Sequence, residues 1–176
     1  GGALLYRQTT FAGFIGAHTA VRPRAFTLSI DSRFDSHLDS GVLAWLLRAP
    51  LPGSRARGAE VTMAARRAME HAPDYARALH MINTTQALGP AYIILGGTRA
   101  GEGRVLTKGS TQDGHPFKDE GLTIDDWSLE HELARTPPRS FMVQTNYDRV
   151  GPAPAFDDRR DPAVDCMEHR LGGAAG

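Results

Sequence analysis

The apolar run Phe141-Met142-Val143 ends in a burst of hydrogen-bonding side chains, Thr145, Asn146, Tyr147, Asp148 and Arg149, and a second polar cluster, Asp157-Asp158-Arg159-Arg160, follows shortly after. An apolar lead-in that gives way to polar residues reads as a buried strand delivering groups into a site. Asn146 is a neutral amide donor that could steady a developing oxyanion. Arg159 or Arg160 could grip a carboxylate or a carbonyl oxygen through paired N–H groups. The same residues also allow a plainer reading, with Asn146 as a turn residue and Arg159 as a structural ion-pair partner.

Three other features invite chemistry. Cys166 is the chain's one cysteine and has His169 three residues on, so a helix would bring thiol and imidazole to one face. Against that chemistry stands the ordinary fate of a lone cysteine, which is among the most often buried residue types. It is therefore expected to be a buried structural thiol. A zinc site built on Cys166 and His169 would need two further ligands that no nearby spacing supplies. The glycine-rich run Gly96–Gly103 resembles a phosphate loop only superficially. Such a loop leads into a helix N-terminus, whereas Arg104-Val105-Leu106-Thr107 is β-prone, so a hairpin turn is expected. Asn83-Thr84-Thr85 is a glycosylation sequon, meaningful at Asn83 only in a secretory protein.

Hydrophobic periodicity predicts the elements that hold these residues. Strands are expected near 3–9, 25–31, 91–96, 103–108, 122–128 and 139–145. A helix capped by Asp39 or Ser40 is expected to run to Leu47, a second from Glu60 to His71, a third opened by Pro73, and a last one opened by Pro162. The stretches 50–58 and 109–121 read as surface loops. Strands flanking a block of helices suggest a layered α+β domain.

Composition bounds the function classes. The chain has 176 residues, 41% of them hydrophobic, enough for one core and one domain. Its formal net charge is zero and its arginines are scattered, which argues against a nucleic-acid partner. No apolar run approaches the roughly 20 residues of a transmembrane helix. The sequence opens Gly1-Gly2-Ala3 without a methionine or signal core and enters at once on the strand-like Ala3-Leu4-Leu5-Tyr6. Residues 1–176 are thus expected to be a single but incomplete domain, with earlier sequence pairing beside that strand and a further C-terminal part.

Several segments together resemble the family of acid ceramidase and N-acylethanolamine acid amidase. They are Phe11-Ala-Gly-Phe-Ile-Gly16, Phe26-Thr-Leu-Ser29, Pro90-Ala-Tyr-Ile-Ile-Leu-Gly-Gly97, Gly101-Glu-Gly103 and Val143-Gln-Thr-Asn-Tyr-Asp-Arg149. They occur in the family's order at similar spacing, cover roughly residues 3 to 166, and the last is closer to the acid ceramidase form.

The resemblance implies a part of the four-layer αββα sandwich of N-terminal-nucleophile hydrolases. It implies a lysosomal enzyme that cleaves a lipid amide, ceramide first and an N-acylethanolamine second, through a thioester on an N-terminal cysteine. It places the family's oxyanion-stabilising asparagine on Asn146 and its network arginine on Arg159. No spacing in the sequence implies a metal or organic cofactor. The nucleophile would lie upstream of Gly1, in a segment or subunit of the same precursor. Where the resemblance implies a glutamate, this chain has Ser32, flanked by Asp31 and Arg33. That departure keeps open an inactive homologue serving in a larger assembly. Phe11, Phe14 and Ile15, interleaved with glycines, are candidates for the wall of a fatty-acyl groove, with an ordinary core as the alternative.

Overall fold

The computed structural model describes residues 4–33, 59–111, 120–151 and 154–171. Among them a six-stranded antiparallel sheet keeps the order of the chain: β1 (Arg7–Thr9), β2 (Thr19–Arg22), β3 (Phe26–Ser32), β4 (Ala91–Gly96), β5 (Gly103–Lys108) and β6 (Thr123–Ser128). Helices α1 (Val61–His71) and α2 (Tyr75–Thr84) fall between β3 and β4. Helix α3 (Leu129–Leu133) follows β6 directly, and α4 (Arg160–Leu171) comes last.

Strand alternation divides the sheet into two faces. Leu28 lies opposite Leu95, Ile30 opposite Ile93, and Ile93 opposite Leu106. These residues form one core with Ala65, Ala68 and Met69 of α1 and Ala78 and Ile82 of α2. The alanines let the helices approach the sheet closely, and the β-branched and leucine side chains fill the layer between. Glu60 caps α1 by accepting from the Met63 N–H at 3.0 Å, and Asp74 caps α2 by accepting from the Arg77 N–H at 2.8 Å. At the other end of α2, the buried Lys108 donates to the carbonyls of Asn83 (3.1 Å) and Thr85 (2.9 Å), which satisfies groups that a helix C-terminus leaves open.

Asp31, Tyr92 and Thr107 pair across neighbouring strands in the alternate register, so they face away from the helices. Asp148 and Arg149 lie over this second face. Arg149 lies over the Trp127 ring at 5.1 Å and reaches Asp125 at 3.3 Å, and the Tyr92 hydroxyl meets Asp148.

Expectation and structure part in four places. No strand forms over 139–145: Phe141 is buried, but the segment takes no part in the sheet's ladder. Strand β1 covers only Arg7–Thr9, while β2 and α3 were not expected. Helix α4 begins at Arg160, two residues before Pro162, because the Asp158 carboxylate accepts from the N–H groups of Arg160 (3.1 Å) and Asp161 (3.0 Å). Cys166 is exposed rather than buried, since α4 buries none of its residues. The helix expected to end at Leu47, the loop 50–58 and most of the loop 109–121 lie outside the described residues.

The hairpin expected at Gly96–Gly103 is present. Its backbone amides at Thr98 and Arg99 both donate to the Glu102 carboxylate, at 2.9 and 3.0 Å, so the loop holds its own anion. Among the described residues no cluster of three or more His, Cys, Asp or Glu side chains is arranged to hold a metal, and no helix is long and apolar enough to cross a membrane.

Candidate active site

The polar quintet comes to rest where β3 ends. Asn146 donates its side-chain amide to the Ser32 carbonyl at 2.9 Å. Two residues on, Asp148 accepts both Nε (2.7 Å) and Nη2 (2.6 Å) of Arg33, and its Oδ1 also accepts the Tyr92 hydroxyl at 2.6 Å. Arg160 donates to the Asp148 carbonyl at 3.0 Å, so the segment is tied through both its side chain and its backbone. The sequence marked Asn146 and Asp148 as polar groups, but not the partners that hold them. Arg33 is separated from Asp148 by 115 positions and Tyr92 by 56, distances that no local pattern spans.

Charge and burial set the protonation of this cluster. Burial pushes the Asp148 carboxyl up, but hydrogen bonds from Arg33 and Tyr92, with the Arg33 charge, outweigh it and hold the group below the usual carboxylate range. Burial and the adjoining carboxylate push the Tyr92 phenol well above its ordinary value, so it stays a donor. The Arg33 side chain is only 8% exposed, and the Asp148 carboxylate stands as its counter-charge.

Arg159 stands at the margin of the cluster. It donates to Asp157 at 2.7 Å, and the same Asp157 oxygen accepts from the Tyr147 hydroxyl at 3.0 Å. Those two donors, Arg159 first, lower the Asp157 carboxyl. Asp31, on the sheet face away from the helices, is raised by burial, against the opposing charges of Arg159 and His18. Asp31 therefore lies within electrostatic reach of Arg159, and His18 links it to the aromatic loop: the His18 ring stands edge-on to Phe11 at 6.1 Å and tilted to Phe14 at 5.2 Å.

That loop is not an ordinary core. Phe11 is 74% exposed, Ile15 65% and Phe14 37%. Gly16 explains why the loop can dock while its aromatics stay outside. A Cβ at Gly16 would stand 2.1 Å from Thr62 Oγ1, so only glycine permits the approach that lets Ala17 bond the Thr62 carbonyl at 2.9 Å. An open groove of about 570 Å³ runs along β1 to β4, lined by Thr9, Thr19, Val21, Thr27 and Ile94 among others, and the three loop residues are not part of its lining. Asn83 is exposed in the last turn of α2, with its backbone carbonyl taken by Lys108.

The antiparallel sheet and the helices packed on it make an α+β domain with the fold of the N-terminal-nucleophile hydrolases. The structure superposes with a TM-score of 0.67 on a Caenorhabditis elegans N-acylethanolamine-hydrolyzing acid amidase ortholog, over 96% of this chain and 62% of that chain at 21% identity. By sequence the chain is similar to the acid ceramidases of Heterocephalus glaber (32% identity over 165 residues), Mus musculus (31% over 166) and Homo sapiens (31% over 164). The chain belongs to the acid ceramidase and N-acylethanolamine acid amidase family. These alignments cover 93–94% of this chain, but the chain spans only 36–37% of the length of those relatives. No family model matches it.

Proposed function

We propose that this chain carries the oxyanion-and-arginine part of an acid-ceramidase-like lipid amidase, which hydrolyses N-acylsphingosine to fatty acid and sphingosine. The reading rests chiefly on Asn146. One of its amide hydrogens is spent on the Ser32 carbonyl, which fixes the plane of the group, and a second hydrogen remains to meet a substrate oxygen. Arg159, half exposed and steadied by Asp157, is available to orient the polar end of the amide.

The chemistry implied by the family runs in two stages. A cysteine thiolate from outside these residues adds to the amide carbon, forming the C–S bond and a tetrahedral oxyanion that accepts from Asn146. Collapse breaks the C–N bond, and the departing amine takes a proton from the nucleophile's own α-ammonium group. Water then adds to the thioester through a second oxyanion, releasing the fatty acid and restoring the thiol. Lysosomal residence goes with this reading.

Ser32 favours a second reading, an inactive homologue retained in a larger assembly, because the carboxylate that the family resemblance implies at this position is missing. A third keeps the chemistry and changes the lipid to an N-acylethanolamine. All three are separated by expressing the full natural protein that carries this chain and measuring fatty-acid release from ceramide and from an N-acylethanolamine. Faster release from ceramide supports the proposal, faster release from the ethanolamide changes the substrate, and no release from either supports the inactive homologue.

A further inference from the structure

We infer that Arg33, Asp148 and Tyr92 form a clamp whose function is to set the position of the Asn146 amide. The inference rests on the reading of Asn146 as an oxyanion donor. The irregular segment that bears Asn146 belongs to no strand, so sheet hydrogen bonds do not fix its distance from β3. Two attachments flank the position instead. Asn146 itself reaches the Ser32 carbonyl, and Asp148, two residues later, is held bidentately by Arg33, the very next residue after Ser32. The two contacts thus run between the same two short stretches of chain, 32–33 and 146–148, and together restrict both sliding and rotation.

Tyr92 adds a third constraint from a different strand. It lies opposite Asp31 in the β3–β4 register, its ring is buried, and its hydroxyl meets the carboxylate oxygen that also accepts Arg33 Nε. A carboxylate held by a planar guanidinium and a phenol has little freedom to turn. An oxyanion donor is effective only when its hydrogen points to where charge develops, and displacement of about 1 Å can lower a rate by on the order of a hundredfold. The clamp members need not touch substrate. They are positioning residues.

A double-mutant cycle on the full natural protein tests this with ceramide as the probe. Tyr92→Phe keeps the buried ring and removes one hydrogen bond, and Arg33→Lys keeps the charge and removes the bidentate grip. Each is expected to lower kcat about three- to tenfold with KM little changed, while the folded state survives in a thermal melt. In an Asn146→Ala background neither change should lower kcat further, because the group they position is gone. Full additivity, with Tyr92→Phe costing as much without Asn146 as with it, would overturn the clamp and leave it a plain stabilising contact. An Asn146→Ala protein as fast as wild type would instead overturn the oxyanion reading beneath it.

Discussion

At the scale of single residues, the site is built on one carboxylate, Asp148, that lies between a buried arginine and a buried phenol. Removing one member of a fully buried ion pair costs roughly 3–5 kcal/mol. Asp148 is 44% exposed and water screens part of its charge, so Asp148→Asn should destabilise by only about 2 kcal/mol. The pH dependence has a definite sign. Asp148 titrates lower folded than unfolded, so its contribution is complete above the ordinary aspartate value near 4 and is lost as pH falls through the folded value. Melting temperatures of wild type and Asp148→Asn should therefore differ by a constant amount from neutral pH to about pH 5 and converge below that. A gap that persisted unchanged to pH 2 would show that charge at Asp148 contributes nothing. The clamp is thus fully formed at mildly acidic as well as at neutral pH.

At the scale of elements, close backbone approaches decide which residues are tolerated. Gly121 has φ of +69°, and a Cβ there would stand 2.4 Å from the Ala87 carbonyl oxygen. The Ala87 N–H bonds the Gly121 carbonyl at 2.7 Å, which joins the entry to β6 to the chain leaving α2. Gly121→Ala combines positive-φ strain with a clash against backbone and should destabilise by about 2–4 kcal/mol, read as a drop in the denaturant midpoint. Strands β4 and β5 could be read residue for residue from the sequence, because continuous apolar runs broken by a glycine turn leave few alternatives. Over 139–145 the same kind of signal misled. An apolar run outside the ladder can bury a side chain such as Phe141 as well as a strand does, and only long-range pairing tells them apart. Strand β2 escaped notice because four residues next to a turn at Pro23 carry too little periodicity. Cys166 was misplaced for a different reason. Cysteine is usually buried, but α4 has no apolar stripe with which to bury it.

At the scale of the whole molecule, helices α1 and α2 occupy one face of the sheet and the proposed chemistry the other, while the exposed loop of Phe11, Phe14 and Ile15 docks on α1 at Thr62 and packs its rings against His18. A long-chain lipid needs apolar surface, and the exposed side chains of this loop are where the proposed amidase would supply it. Phe11→Ser is accordingly expected to change stability by less than about 0.5 kcal/mol while raising KM for a long-chain ceramide more than for a short-chain one. Equal effects on both chain lengths would remove the loop from the acyl site. The candidate site was half legible in the sequence for a physical reason. Asn146, Asp148 and Arg159 lie in one short polar stretch, whereas Arg33 and Tyr92 join them only when the sheet aligns β3 with β4. The central claim, that Asn146 serves an amidase, is tested most directly by fatty-acid release from ceramide by the full natural protein, wild type against Asn146→Ala. The expected result is a rate at least about tenfold lower with the protein still cooperatively folded in a thermal melt; an undiminished rate would contradict the claim.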